Sequence, residues 1–261
     1  MNEPFRTAWI IGASSGIGRE LAKLMARAGI IVTVSARRGD ALEELRSQCP
    51  NGKIYTLPLD IADPDAVDKA AKTMEQGDRL PDVVVIASAI YEAAAVDDLD
   101  PSLFAKVMTV NYLGVVNLLS AMVPGFLARG RGHVAVVASV AGYRGLPLAA
   151  AYGPTKAAVI NLCESLQPEL KARGVHLQVI NPGFVDTPMT RKNSFAMPFM
   201  ISPEDAARRL YRGLLSRRFE ITFPKRFTWF LKLMRILPYG LYFRLIGTMT
   251  GASQRGAEKQ S

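Results

Sequence analysis

The chain has 261 residues, of which 49% are hydrophobic and 21% charged, and its formal net charge is +9. That balance can fill the core of one large α/β domain, and it excludes a disordered chain or a small disulfide scaffold. The basic excess permits nucleic acid, an anionic membrane or a phosphorylated ligand as partner, and only its placement along the chain separates them.

The opening MNEPFRTAWIIG has neither the basic start nor the long apolar core of a signal peptide and leads straight into a strand. Strands are predicted at 7–11, 31–35, 54–57, 83–87, 133–138, 176–180 and 219–223, with helices at 17–28, 40–48, 64–76, 101–128, 154–172 and 203–216. The strands are short, β-branched and nearly continuous in apolar character, as parallel strands covered on both faces are. Ser202-Pro203-Glu204-Asp205 reads as a helix start: a capping serine, proline in the first turn, then acids facing the dipole. The alternation predicts an α/β fold, a doubly wound seven-stranded parallel sheet (Rossmann fold) in a single domain over 1–224. A basic, amphipathic extension is expected over 225–250 and a frayed polar tail over 251–261. No charge-free apolar run is expected to reach the ~20 residues of a membrane-spanning helix, and the protein is read as cytoplasmic. Cys49 and Cys163 match no metal-ligand spacing and are read as free thiols of a reducing compartment. His133 and His176 each begin an apolar run and are read as structural, so no metal site is expected.

The first strand runs through Ile11 into Gly12-Ala13-Ser14-Ser15-Gly16-Ile17-Gly18 and a helix. Strand, glycine-rich turn and helix in this order cradle a pyrophosphate. Glycine lets the backbone turn tightly and approach the phosphates, and the helix N-terminus supplies N–H donors and positive dipole. The second strand ends in Ser35-Ala36-Arg37-Arg38. An acid there would bond the ribose 2′-hydroxyl of NAD, whereas two guanidiniums suit a 2′-phosphate, so NADP(H) is expected ahead of NAD(H).

Tyr152-Gly153-Pro154-Thr155-Lys156 sets a tyrosine and a lysine four residues apart, on one face at a helix start. A phenol is a poor base at its ordinary pKa of about 10, and a nearby ammonium is expected to draw that pKa toward neutrality. Ser139 lies 13 residues earlier, at a strand end, and Asn111 falls within a predicted helix. Asn181-Pro182-Gly183 follows the sixth strand, with Val185 and Thr187 just beyond. Ser139 and Gly183 thus follow strand ends, where ligands bind in open α/β sheets.

The Gly-x-x-x-Gly-x-Gly spacing, Asn111, Ser139, the Tyr-x-x-x-Lys pair and Asn181-Pro182-Gly183 together resemble the short-chain dehydrogenase/reductase family over about residues 6–223. The resemblance implies that Tyr152 is general acid for reduction and base for oxidation. It implies that Lys156 lowers the tyrosine pKa and holds the nicotinamide ribose, that Ser139 stabilises charge on the substrate oxygen, and that Asn111 holds a water of the proton relay. It assigns Asp60 and Ile61, after the third strand, to the adenine, and Ala87, after the fourth, to the cofactor site. Pro182, Gly183, Val185 and Thr187 would contact the nicotinamide end, and a homodimer or homotetramer is implied.

Two positions depart from the family pattern. Ile11 stands where a threonine is usual, and Ile86-Ala87-Ser88-Ala89 replaces the usual Asn-Asn-Ala-Gly. Both replace polar with apolar groups in segments that lie side by side in the family, as a paired repacking would.

Late in the chain, Lys225, Thr228, Lys232 and Arg235 share a narrow stripe on a helical wheel, with aromatic and aliphatic residues around the rest. Residues 225–246 are therefore read either as a helix lying in a membrane interface or as one packed over the substrate cleft or a dimer partner. The interleaved aliphatic surface argues against nucleic acid. Residues 189–200, with Met189, Phe195, Met197, Phe199 and Met200, are read as a mobile lid over the cleft, its apolar side chains serving either a lipophilic substrate or ordinary lid packing. The expected function is an NADP(H)-dependent oxidoreductase interconverting a ketone or aldehyde and an alcohol on an apolar small molecule. A peripheral position at the inner face of a membrane is the alternative location, and a catalytically weak dinucleotide-sensing protein is the alternative function.

Overall fold

The computed structural model describes residues 5–75, 80–97, 99–192 and 197–250, so the predicted tail at 251–261 and Phe195 lie outside the described residues. Seven strands form one sheet: β1 (Thr7–Ile11), β2 (Ile31–Ser35), β3 (Ile54–Thr56), β4 (Val83–Ile86), β5 (Gly132–Val137), β6 (Val175–Pro182) and β7 (Glu220–Phe223). Their order is β3-β2-β1-β4-β5-β6-β7, and every neighbouring pair is parallel. The order reverses between β1 and β4, which opens a crevice at the C-terminal ends of those strands. All seven strands match the sequence reading to within two residues.

The helices are α1 (Gly16–Arg27), α2 (Gly39–Ser47), α3 (Pro64–Glu75), α4 (Pro101–Met108), α5 (Gly114–Arg129), α6 (Tyr152–Ala172), α7 (Pro203–Leu214), α8 (Lys225–Arg235) and α9 (Tyr239–Thr250). They cover both faces of the sheet, because strand residues alternate between two buried clusters. Ile10 joins Val32, Val34, Leu21, Met25 and Leu210 on one face, and Trp9 and Ile11 join Val84, Ile86, Leu118, Phe126 and Val159 on the other. Ser202 caps α7 by accepting from the Asp205 N–H, with Pro203 and two acids in the first turn, as its sequence predicts.

The predicted helix at 101–128 is one helical run, but a π-helical turn at Thr109–Leu113 divides it into α4 and α5. Contrary to expectation, the run carries no charge between Lys106 and Arg129, and by length and composition it could cross a membrane. Its buried Val107, Val115, Leu118, Leu119, Met122 and Phe126 make it a wall of the core, which accounts for its apolar content.

His133 and His176 stand side by side on β5 and β6, their rings edge to face at 4.5 Å, with His133 Nε2 2.8 Å from Gln178 Oε1. Burial first, and then the neighbouring His176, push His133 down to about 3. Cys49 and Cys163 are both buried free thiols.

Residues 225–250 form two helices separated at Pro238, and the wheel's basic stripe is split: Lys225 and Arg235 are exposed, Lys232 is partly buried and Thr228 is buried. Thr228 is buried with Phe227, Leu231 and Met234 on the inner side of α8. Lys232 pairs with Glu220 of β7, and its ammonium lies over the rings of Tyr143 and Trp229. Position alone had set Lys232 and Thr228 beside Lys225; the sheet edge decided which of them turned inward.

Candidate active site

The crevice deepens into a cavity of about 380 Å³. One side is the turn after β1. Gly12 has φ +92°, and a Cβ there would lie 2.5 Å from the backbone N of Ser88; one on Gly18 would lie 2.5 Å from the Gly12 carbonyl oxygen. Only glycine lets these three backbone segments close on one another. Ser15 precedes α1 without making a side-chain cap, and the first turn of α1 carries no acid. The first N–H groups of that helix therefore face the cavity as donors for an anion.

The departures from the family pattern meet at this place. Ile11 pairs with Ile86 across β1 and β4, both are buried in one cluster, and the Ala87 N–H donates to the Ile11 carbonyl at 2.7 Å. Apolar contact thus replaces polar contact on both strands at once, and the backbone of the turn is kept. Beyond β2, Ser35 is buried and accepts a hydrogen bond from the Trp9 indole at 2.8 Å, while Arg37 and Arg38 are exposed at the cavity margin. The Arg38 guanidinium reaches the Ser14 carbonyl at 3.4 Å, next to the glycine turn. A glycine turn, a free helix N-terminus and two guanidiniums form a donor set that fits a phosphorylated dinucleotide.

The opposite side is made by the loop after β5 and the start of α6. Ser139 begins a short 3₁₀ turn and accepts from the Ala141 N–H at 3.1 Å. A Cβ on Gly142 would meet the Lys156 backbone at 2.7 Å, so a glycine is what lets this loop lie against α6. That approach sets Ser139 and Tyr152 on the same wall of the cavity, where Ser139 acts to lower the Tyr152 phenol pKa. Lys156 is fully buried, donates to the Val137 carbonyl at 2.9 Å, and holds its ammonium 5.6 Å from the centre of the Tyr152 ring.

The protonation balance differs from the sequence expectation. Burial pushes the Tyr152 phenol up to about 12, against a smaller lowering by Ser139, and burial pushes Lys156 down to about 8. Desolvation dominates both groups, with Tyr91 adding to the rise at the phenol, so at neutral pH the tyrosine is a protonated donor beside a charged lysine.

The other predicted residues divide. Ser14, Ser15, Gly16, Ile17, Ala87, Pro182, Gly183, Val185 and Thr187 all line the cavity. Asp60, Ile61 and Asn111 are not among its lining residues. Asp60 accepts from the Ala62 N–H at 3.0 Å, and Ile61 is buried against Gly114, where a Cβ would meet it at 2.6 Å. Asn111 is fully buried in the π-helical turn, where its amide accepts from Ile90 N (2.8 Å) and donates to Ile90 O (2.9 Å) and Thr155 Oγ1 (3.2 Å). It thereby ties the loop after β4 to the residue preceding Lys156.

Sequence reasoning missed Tyr91, which lines the cavity and meets Tyr152 edge-on at 5.3 Å between ring centres. Its place after β4, one of the two strands at the reversal point, was the available signal. The third wall consists of Leu146, Leu148, Phe227, Leu231 and Ile246, with Met189 from the predicted lid. A Cβ on Gly183 would lie 2.8 Å from the Phe227 ring, so α8 is seated directly on the loop after β6.

A dinucleotide cradle at the reversal point of a parallel sheet, facing a serine, a tyrosine and a lysine, defines an oxidoreductase of the Rossmann class. The family model "short chain dehydrogenase" matches residues 6–197. An uncharacterized oxidoreductase of Myxococcus xanthus (strain DK1622) is 32% identical over 240 residues, 91% of this chain and 95% of that protein. Dehydrogenase/reductase SDR family member 7B of Bos taurus is 33% identical over 186 residues, 68% of this chain and 57% of the bovine one. Among solved structures, an alcohol dehydrogenase from Thermococcus sibiricus complexed with 5-hydroxy-NADP aligns with a TM-score of 0.75 at 26% identity, covering 84% of this chain and 95% of its own. A short chain dehydrogenase/reductase from Burkholderia phymatum in complex with NAD shares the fold, with a TM-score of 0.80 at 20% identity over 88% of this chain and 92% of its own. The chain belongs to the short-chain dehydrogenase/reductase family and is an oxidoreductase acting on CH–OH donors.

Proposed function

We propose that this protein is an NADP(H)-dependent oxidoreductase that interconverts a ketone or aldehyde and an alcohol on a lipophilic small molecule, working as a homodimer or homotetramer. One observation carries the reading: Ser139, Tyr152 and Lys156 converge in a cavity whose other walls are the glycine turn and a set of aliphatic and aromatic side chains. The site is the place where a bound NADP(H) would supply hydride. Arg37 and Arg38 support the phosphorylated form, because guanidinium–phosphate contacts are charge-assisted and can be bidentate.

The chain's own residues do the acid–base work. In reduction, the Ser139 hydroxyl and the Tyr152 Oη hold the substrate oxygen, and Tyr152 gives its proton to that oxygen as negative charge develops there. The Lys156 ammonium stabilises the phenolate left behind. In oxidation, Tyr152 takes the proton from the alcohol. Phe227, Leu231 and Leu146 exclude water from the reacting carbon and select apolar substituents by burial. Residues 225–246 belong to the same reading, with one face closing the cavity and the other available to an anionic membrane surface.

The test is a turnover screen of ketones and alcohols of graded chain length with NADPH and with NADH. Preference for NADPH and rising kcat/KM with chain length are expected; equal use of NADH removes the NADP(H) assignment, and a flat chain-length series removes the lipophilic substrate.

A further inference from the structure

Among the described residues sixteen large hydrophobic side chains are exposed, and nine of them fall between Trp229 and Met249. Scattered apolar side chains are ordinary on a protein surface, but a contiguous set marks a contact surface. On α8 the buried Phe227, Thr228, Leu231 and Met234 recur at helical spacing, which turns Arg226, Trp229, Phe230, Leu233 and Ile236 to the opposite face. On α9 the inward residues are Tyr242 and Ile246, and Leu241, Phe243 and Leu245 are exposed.

Arg144 joins the two helices into one plate. Its Nη1 donates to the carbonyls of Met234, Arg235 and Leu237 at 2.8, 3.1 and 2.7 Å. Its guanidinium also lies over the rings of Tyr239 and Tyr242, at 4.8 and 4.0 Å from their centres. Tyr242 in turn donates to the Gly145 carbonyl. The outer face is therefore held in shape by the loop that follows Ser139.

Charge selects the partner. Between Lys225 and Thr250 the chain has five Lys or Arg and no Asp or Glu; Lys232 is paired with Glu220, and Lys225, Arg226, Arg235 and Arg244 are exposed. A second copy meeting the same patch across a two-fold axis would set like charges together. An anionic lipid surface complements them, and basic residues beside Trp, Phe and Leu are what a helix in a membrane interface presents. The plate's other side walls the cavity, and Met249 lines that cavity while remaining 51% exposed, so the cavity opens beside the patch.

We infer that the outer face of α8 and α9 docks on an anionic lipid surface, and that the enzyme takes its substrate from within that bilayer. The substrate route rests on the reductase reading of the site; the docking rests on the patch alone. The experiment uses the full chain and vesicles of phosphatidylcholine, or of equal parts phosphatidylcholine and phosphatidylglycerol. The protein pellets with the mixed vesicles at low salt and is released at high salt. Arg226→Glu with Arg244→Glu weakens that binding by about twenty-fivefold or more, from roughly fivefold per lost charge. Trp229→Glu with Leu233→Glu abolishes it, and turnover of a long-chain ketone carried in the vesicles falls with it, while a short water-soluble ketone is reduced at the native rate.

Native protein that stays in the supernatant with mixed vesicles at low salt overturns the docking. A native dimer that Trp229→Glu with Leu233→Glu splits into monomers also overturns it, because the patch is then a subunit interface. Vesicle-borne ketone reduced equally well by the non-binding variant overturns the substrate route. Pelleting without turnover of any ketone strikes the reductase reading, and the substrate route with it, and leaves the docking standing.

Discussion

On the glycine-turn side of the cavity, positions are held by backbone against backbone; on the α8–α9 side, by side chain against side chain. A Cβ at Gly12 or Gly142 would lie within 2.7 Å of backbone atoms that cannot yield. Phe227 and Leu231 are held instead by an apolar cluster, by the seat at Gly183 and by the Lys232–Glu220 pair. The two lysines show the same contrast. Among the described residues the buried Lys156 ammonium has the Val137 carbonyl as its hydrogen-bond acceptor, and burial lowers its pKa to about 8. Burial of Glu220 raises its pKa, but hydrogen bonds from Lys232, Tyr143 and Asn181 more than offset this, and the net shift is downward. Among the described residues one cation lies buried beside Tyr152 with no carboxylate partner, and the other is paired with Glu220 where α8 meets β7.

The contrast is broken most severely at Tyr152. Tyr152→Phe removes the phenol beside Ser139, and turnover should fall by about two to four powers of ten while dinucleotide binding, followed by fluorescence, persists. Near-native turnover would remove Tyr152 from the mechanism. Next in size is the replacement of both Arg37 and Arg38 by alanine. Loss of two charge-assisted contacts should raise the KM for NADPH by roughly ten- to a hundredfold and leave NADH little changed. A parallel rise for NADH would make the two arginines general supports of the turn.

The pH profile sharpens the comparison of the lysines. Lys156 is depressed to about 8 and Tyr152 raised to about 12, so the competent form for reduction has both protonated. The kcat/KM for ketone reduction should be level near neutrality and fall above about pH 8, by about tenfold per unit. A profile level to pH 10 would show either that Lys156 is not held down near 8 or that its charge is not needed, and Lys156→Ala with unchanged turnover would single out the second. The smallest effect belongs to the α8 side. Glu220→Gln removes the charge that pairs with Lys232 and should cost about 1–3 kcal/mol of stability in a denaturant titration. It should raise KM for a long-chain ketone more than for a short one, and equal changes for both would detach α8 from substrate selection.

Legibility in the sequence follows the same division. The sheet was readable because parallel strands buried on both faces must be apolar throughout, and the α1 turn because only glycine tolerates its contacts. Strand ends and helix faces placed Ser139 at the ligand-binding edge and Tyr152 and Lys156 on one face, and the resemblance to the short-chain dehydrogenase/reductase family joined the three. Tyr91 could not be placed, because its approach to Tyr152 depends on how the loop after β4 is held by Asn111. The π-helical turn that buries Asn111 has no period of its own in a charge-free helical run.

Arg144 was invisible for a similar reason. An arginine in a loop after β5 says nothing of three carbonyls some ninety residues later. The wheel for residues 225–246 grouped the basic stripe but left open which face the protein would bury. A helical wheel orders side chains around an axis but does not say which neighbour the axis lies against.

By itself the sequence determined the α/β class, the seven strands and the residues available for chemistry, because these follow from local sterics and from burial periodicity within a short stretch of chain. Only the tertiary structure decided that the Tyr152 phenol would be pushed up and the Lys156 ammonium down, because desolvation is set by what surrounds a group in space. It also decided that α8 and α9 would bury one face on the cavity and expose the other, because that choice depends on the edge of a sheet completed only by β7.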